Sequence, residues 1–509
     1  MNKILNDLGE YYVILDCYTD EPSGLGVPPF LSVHSRYLAG CLSTLNKKFY
    51  YITIDDLRYS LGETHDENTY NKRIINTTIN KNDVSTLLNG SEKIYITMGC
   101  FVKYDYFSAE PGTVDELIPL FKKLNYGSKS VLFYSLGGKD MKTVMEHRSL
   151  HDIFSEVFYG NVYNYFFDLN NPFSTNYALL ANVAISSASV MKHLARPLVI
   201  EIETASGCNR NPGCSFCIEG KRGLPLEFRN VDNIVSEIKA LYTIGARYFR
   251  LGRQPNFYAY MNNDPKKIEE LFVKIWECCP DIKTLHIDNV GPQDVPTPNG
   301  IETTKLIAKY CTSGNIAPFG IESFDPKVRE LCNLNGTVND IYKAIDVINQ
   351  YGAFRSDSGL PQILPGINLI YNLDGQTNDT LDINLKNLEH ILDSNMLVRR
   401  VFVRKLTSIY GDQFDKYTSH EIAEFKLWQK KILEQFAIPM MKKVFPIGLI
   451  IKDLRMEMLQ DGNSYLRTMG TCPIRVMVPN KKLLLDHFYN VVITDYHEYR
   501  MLIGEILYE

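Results

Sequence analysis

Cys208, Cys214 and Cys217 fall close together in the stretch EIETASGCNRNPGCSFCIEG, residues 201–220. Their spacing is Cys-x5-Cys-x2-Cys, directly after an apolar run at 197–202 that reads as a buried strand. Thiolates are costly to gather unless something binds them, and zinc or an iron–sulfur cluster is the usual partner. A structural zinc site needs four ligands. The next cysteine is Cys278 and the next histidine is His286, both far along the chain. Three ligands and an open fourth position suit a cluster with one iron left for a substrate or cofactor. Gly207, Pro212 and Gly213 let the loop wrap tightly. Two plainer readings stand beside this one: a loop of unrelated free thiols, and a zinc knob completed from elsewhere.

The elements that must position this loop recur with a regular pattern. Strands are expected at 198–203, 248–251, 284–287, 316–321, 366–371 and 400–404. Helical stretches separate them: Val231, Ile234, Val235, Ile238 and Leu241 share one face, as do Ile268, Leu271, Phe272 and Ile275. Six strand–helix repeats are too few for an eightfold barrel, but barrel enzymes of either kind place chemistry at the C-terminal strand ends. The polar motifs fall there. After the cysteine loop come Gly252-Arg253-Gln254-Pro255, then His286-Ile287-Asp288-Asn289, then Glu322-Ser323 and the turn at 371–377. Arg399, Arg400, Arg404 and Lys405 flank the sixth strand. Charges there are usually solvated; an inward Arg400 or Arg404 would suit a carboxylate or phosphate.

Upstream, strands at 11–17, 49–54, 93–98 and 130–135 alternate with helices at 35–46 and 114–124, which argues for a doubly wound parallel sheet. Its ligand edge would lie near Cys17, Gly99 and Gly137. Residues 68–82 are polar and Asn-rich, an expected excursion. Beyond about 410, an amphipathic stretch at 421–436 leads to short alternating strands within 465–478 and 488–493. The expected fold is α/β: a Rossmann-like domain at 1–170, a linker at 171–196, a partial (β/α)6 barrel at 197–408, and a C-terminal helix plus small β domain at 409–509. About three domains also suit 509 residues. With 45% hydrophobic and 22% charged residues the composition is that of a soluble globular protein. The net charge of −5 gives no global basic field for nucleic acid. No signal-peptide h-region and no run near the roughly 20 apolar residues of a membrane span are found, so a cytoplasmic location is expected. There the 11 cysteines read as ligands and buried thiols, not disulfides.

On these residues the chain resembles the radical S-adenosylmethionine (radical SAM) superfamily, whose open six-unit barrel matches the repeat count. The cysteine loop, with aromatic Phe216 before its third thiol, is similar to that superfamily's cluster loop, though two residues longer than the commonest Cys-x3-Cys-x2-Cys form. The resemblance implies that Cys208, Cys214 and Cys217 ligate a [4Fe-4S] cluster. Gly252-Arg253-Gln254-Pro255 resembles the turn that holds the SAM amino group, with Gln254 where a carboxylate usually stands. An amide oxygen still accepts that hydrogen bond, without charge. Glu322-Ser323 looks like a pair that meets the ribose or amino acid part of SAM. Phe216, Gly252, Arg253, Gln254, Glu322, Ser323, Arg400 and Arg404 are therefore the expected cofactor-binding residues. No catalytic residue is singled out.

The N-terminal unit, with Pro28-Pro29 and a Tyr-Leu-Ala-Gly helix after its first strand, is similar to the cobalamin-binding-like domain that precedes many radical SAM methyltransferases. The Asp-x-His-x-x-Gly signature for a cobalt ligand is absent, and His34 and His65 do not match it. Cobalamin would bind without a histidine ligand, or not at all. The C-terminal strands are similar to the TRAM modules of tRNA methylthiotransferases. End to end, the chain most resembles an archaeal radical SAM family described with a C-terminal helix-hairpin-helix, on the segments DEPSGLGVPP, FRLGRQP and LPGIN. No Gly-hinged helix pair of that kind follows the small β domain, which removes the best pointer to a nucleic-acid substrate.

The implied activity is reductive cleavage of SAM to a 5′-deoxyadenosyl radical, leading to methylation of an unactivated carbon on a macromolecular substrate, protein or RNA. A ferredoxin- or flavodoxin-type electron donor is the other expected partner, and no membrane. A methylthiotransferase or other sulfur-inserting enzyme would need an auxiliary cluster, for which Cys17, Cys41 and Cys100 are the available thiols. Free cysteines are, however, commonly buried hydrophobes. The third reading is a non-catalytic iron–sulfur binding protein on a retained barrel.

Overall fold

The computed structural model describes residues 9–19, 25–62, 78–99, 107, 109–134, 150–167, 172–406, 417–497 and 501–507. His65, Cys100 and Gly137 lie outside them, as does most of the Asn-rich excursion. Five strands form the first sheet: β1 (Tyr12–Asp16), β3 (Phe49–Thr53), β4 (Ile94–Met98), β5 (Ser130–Tyr134) and β6 (Glu156–Tyr159). All pairings are parallel, in the order β3-β1-β4-β5-β6. Runs such as YVILD and IYITM are apolar on both faces because helices cover both sides. Ile14, Tyr51, Tyr95 and Phe133 pack toward the helix Val33–Thr44. Val13, Leu15, Ile52 and Ile96 pack on the opposite face, with the helices Ile54–Ser60 and Val114–Leu124.

Two features depart from the sequence expectation. β6 is a fifth strand; its residues EVFY are half-exposed at the sheet edge, so no buried run marks it. The stretch expected as a linker at 171–196 is also structured. It forms the helix Tyr177–Ser186 and a short 3-10 helix, Ser187–His193, with Leu180, Val183 and Ala184 buried. Gly40, the last residue of the Tyr-Leu-Ala-Gly run, lets the helix Val33–Thr44 come so close that a Cβ there would strike the Val183 carbonyl. Arg36 on the same helix ties three elements together. It donates to Ser187 Oγ (2.8 Å) and to the Glu201 carbonyl (2.9 Å), and pairs with Glu237, which also pairs with Arg229. These charges are buried, so each must be matched to offset its lost hydration.

The second unit holds β7 (Val199–Glu203), β10 (Tyr248–Gly252) and β11 (Thr284–Ile287) in one parallel sheet, and β12 (Asn315–Glu322), β13 (Ile363–Tyr371) and β14 (Arg400–Lys405) in another. Val290 bridges to Phe319 where the two meet. The helices between them bury the expected faces, Ile234, Ile238 and Leu241 on one and Ile268, Leu271, Phe272 and Ile275 on the next. A two-residue strand, β2 (Phe30–Leu31), extends β7 in parallel. An antiparallel pair of two-residue strands, β8 (Ala205–Ser206) with β9 (Glu227–Phe228), closes the base of the segment that carries the cysteine loop.

The C-terminal region begins with the helix Ser419–Ile432, followed by a π turn and the helix Ile438–Val444. Five strands then close into a barrel: β15 (Ile450–Gln460), β16 (Asn463–Arg467), β17 (Arg475–Val478), β18 (Phe488–His497) and β19 (Met501–Ile506), in the order β15-β16-β17-β19-β18. The loop between β16 and β17 docks on β11. Met469 O accepts from Thr284 Oγ1 at 2.6 Å, and Thr471 N–H donates to His286 Nδ1 at 3.0 Å. Thr284→Val would strand the Met469 carbonyl and should lower unfolding free energy by about 1 kcal/mol in denaturant titrations. An unchanged midpoint would mean that this docking contributes nothing. Among the described residues, no helix is long and apolar enough to cross a membrane.

Candidate functional site

Strand alternation decides what β7 presents to the interior of the second unit. Ile200 and Ile202 enter the core, which leaves Glu201 and Glu203 facing the central cavity. Glu201 pairs with Arg250 of β10 at 2.9 Å, and Arg250 also pairs with Asp288 just after β11. Burial pushes the Glu201 and Glu203 carboxyls above the usual range, with Arg250 and Arg253 respectively opposing the shift. Glu203 Oε2 lies 3.6 Å from Arg253 Nε. Its other oxygen, Oε1, is buried and has no hydrogen-bond partner among the described residues. Arg253 has φ +58° and Glu322 φ +60°, left-handed conformations that cost a side-chain-bearing residue about 1–3 kcal/mol. Both line the cavity.

Gln254 also lines the cavity, but its amide is already engaged. Oε1 accepts from Thr204 Oγ1 at 3.1 Å, and Nε2 donates to Leu251 O at 3.3 Å. Gly252 is register-paired with Glu203 and sits where a Cβ would press on the Glu201 carboxylate. It makes room and lines no part of the cavity.

The cysteine loop is tied down at several points. Cys208 N–H donates to Leu224 O (3.2 Å), and Ser215 N–H to Cys332 O (3.1 Å). Asn333 Nδ2 donates to Pro212 O (2.6 Å) and Gly213 O (3.1 Å). Arg210 bridges Cys214 Sγ (2.8 Å) and Asn333 O. Phe216 packs against Val328, Cys332 and Leu373, which seats the loop on the helix Pro326–Leu331. Cys208, Cys214 and Cys217 are half-buried and line the cavity, whereas Cys17, Cys41, Cys279, Cys311 and Cys332 are buried. Burial pushes the Cys214 thiol up to about 11, and the Cys217 thiol also upward. Among the described residues, no three His, Cys, Asp or Glu side chains converge tightly enough for a single metal ion. A four-iron cube holds its ligand sulfurs farther apart than one ion does, so three thiols around an open space fit the cluster better than a zinc knob.

The opposite wall comes from Gly320 and Glu322 of β12, Asn368 and Ile370 of β13, and Arg400, Phe402 and Arg404 of β14. Arg400 donates to Asn368 Oδ1 (3.1 Å) and lies over the Phe402 ring, 3.6 Å from its centre. Ser323 corrects an expectation. It is buried away from the cavity, its hydroxyl accepting from Asp325 N–H at 3.1 Å, because the chain turns at Glu322. The cavity holds about 2320 Å³, well beyond the roughly 300–1,000 Å³ of a single small-molecule pocket. Pro28, Pro29 and Phe107 of the N-terminal unit and Thr471 and Cys472 of the β16–β17 loop complete its lining.

Sequence reasoning missed Glu201, Glu203, Arg210 and Asn333. Alternating acids in VIEIE were the available signal for the first two. The thiols considered for an auxiliary cluster are not brought together: Cys17 and Cys41 pack on opposite faces of the first sheet, and Cys100 lies outside the described residues.

Residues 202–384 match the family model described as the Radical SAM superfamily. An uncharacterized protein of Methanocaldococcus jannaschii is 34% identical, over 97% of this chain and 93% of its own length. An uncharacterized protein of Archaeoglobus fulgidus is 33% identical, over 92% and 85% respectively. Among solved structures, the radical S-adenosylmethionine methyltransferase TsrM of Kitasatospora setae, with cobalamin and a [4Fe-4S] cluster bound, aligns with a TM-score of 0.49 at 12% identity, covering 77% of this chain and 75% of its own. The cobalamin-dependent S-adenosylmethionine radical enzyme OxsB gives 0.47 at 13% identity, covering 84% and 56%.

Proposed function

This chain belongs to the radical SAM superfamily, and from that premise we propose that it is a radical SAM methyltransferase with a [4Fe-4S] cluster on Cys208, Cys214 and Cys217. The observation that carries the reading is the set of three half-buried thiols opening on one large cavity at the strand ends. When bound, the cluster and SAM supply a 5′-deoxyadenosyl radical able to take hydrogen from an unactivated carbon; the protein's task is to bind, orient and exclude water.

Glu203 takes the place of the expected acceptor for the SAM ammonium. It lines the cavity and has one oxygen without a hydrogen-bond partner among the described residues, whereas the Gln254 amide serves to fix Thr204 and the turn after β10. Arg253 and Glu322, held in strained conformations at strand ends, are assigned to the remaining polar groups of SAM. Arg400 and Arg404 form the cationic wall across from them.

Cobalamin is the proposed second cofactor. The first sheet, in the order β3-β1-β4-β5-β6, reverses direction of winding at β1 and β4, where ligands of such sheets bind. Residues following those strands, Pro28, Pro29 and Phe107, reach the same cavity as the thiols. His34 is buried on its helix, so a cobalt ligand from it is not part of the proposal. The electron donor and the macromolecular substrate belong to the same proposal.

Anaerobic reconstitution tests it on one sample. About four irons, one hydroxocobalamin and 5′-deoxyadenosine formation are expected. About eight irons without cobalamin would favour sulfur insertion. Iron without SAM cleavage would leave a binding protein.

A further inference from the structure

Arg399 stands immediately before β14, at the end of the strand away from the cysteine loop. Its backbone N–H donates to Pro365 O at 2.7 Å, and its side chain lines the cavity. The guanidinium lies over the Phe445 ring, 4.8 Å from its centre. Among the described residues it has no carboxylate partner and no hydrogen-bond acceptor. Its electrostatic neighbours are the Cys472 thiol and a like charge, Arg400. Burial pushes its pKa down to about 10, which Cys472 opposes and Arg400 reinforces. An arginine ordinarily stays above 12. A guanidinium that lines a cavity, stacks on an aromatic ring, has a second cation beside it and no carboxylate partner among the described residues is suited to take an anion.

We propose that Arg399 binds the carboxylate or phosphate end of the substrate, with the substrate body running along Phe402 toward the thiols. The six residues of β14 span about 20 Å. A group at Arg399 is therefore remote from the cysteine loop and out of reach of the SAM carboxylate. The substrate class is accordingly an elongated one, or an extended arm of a larger one, with a terminal anion. This rests on reading the cavity as the reaction site, but its test does not need the radical reaction.

Inorganic phosphate and succinate are the probes, titrated calorimetrically into the cluster-loaded chain and into the chain lacking the cluster. Saturable binding is expected in both, with Arg399→Gln weakening it at least tenfold and Arg399→Lys retaining part. Saturating SAM should not displace either anion. A parent that binds neither probe, an Arg399→Gln variant that binds like the parent, or displacement by SAM overturns the proposal. Binding in the cluster-free chain separates its failure from failure of the cluster assignment. A second readout needs no variant. Cys472 should react faster with anionic iodoacetate, relative to iodoacetamide, than a free thiol does, and phosphate should slow the iodoacetate reaction selectively. Equal slowing of both reagents, or none, counts against the site.

Discussion

Replacing Cys208, Cys214 and Cys217 together by alanine should remove about four irons per chain and abolish 5′-deoxyadenosine formation. The loss is expected to be local. Arg210, Asn333 and Phe216 hold the loop by contacts to the backbone and to an apolar cluster, and of these only the Arg210 bond to Cys214 Sγ depends on a thiol. The variant should therefore keep its circular dichroism and its melting temperature when compared with the cluster-free parent. Each single replacement leaves two thiolates, too few to hold the cube, so single variants should lose most of their iron as well. Cys278→Ala is the control, because that thiol is half-exposed but contacts Cys279 at 3.4 Å on an outer helix, away from the cavity. A triple variant that retained iron and product would break the link between this loop and the chemistry. Retained iron with lost product would instead mean that other thiols bind iron non-specifically.

How much of this could be read beforehand depends on how local each signal is. Strands buried on both faces, such as Ile94–Met98, announce themselves as apolar runs, and the cysteine loop is a spacing within ten residues. β6 has no such run, and β2 is two residues long. β15 hides for a different reason. Arg455 and Glu457 look like solvent positions, yet both are buried, with Glu457 paired to Arg467 of β16. The site divides the same way. Gln254 was legible as a departure from the expected carboxylate, but the nearby acid was not, because Glu203 comes opposite Gly252 only through the register of β7 with β10. Ser323 shows the converse error. It follows a cavity-facing residue in sequence, but the backbone turn at Glu322 sends it into a helix cap. Arg36 with Glu237, and Arg399 with Phe445, join residues too distant in sequence for any pattern to mark them.

Glu203→Gln should weaken SAM binding by about two decades, measured by equilibrium dialysis on the cluster-loaded protein. The carboxylate lines the cavity, with one oxygen near Arg253 and one without a hydrogen-bond partner among the described residues. An ammonium placed there gains a charge-assisted hydrogen bond, for which about 1.5–3 kcal/mol is typical, and each decade of affinity is about 1.4 kcal/mol. Gln254→Ala should cost less than a decade, because its amide bonds inward to Thr204 and Leu251. The pH dependence gives an independent signature. Burial raises the Glu203 carboxyl in the free protein, and the Arg253 and Arg229 charges lower it less than burial raises it. A bound ammonium would add a further lowering influence, so SAM binding should release a proton from this group. Affinity should then rise as pH rises through the free-protein value and level off above it. Measurements kept below about pH 7 leave the SAM amine charged throughout, since α-amino groups titrate near 7.7–8.0. Glu201, also raised by burial, contributes its own slope to parent and variant alike. The difference between the two profiles therefore isolates Glu203, and the glutamine variant should keep only the slope that Glu201 contributes. Parallel profiles with equal dissociation constants would remove Glu203 from the SAM site and return the ammonium to Gln254. In that case Gln254→Ala, not Glu203→Gln, would carry the large loss.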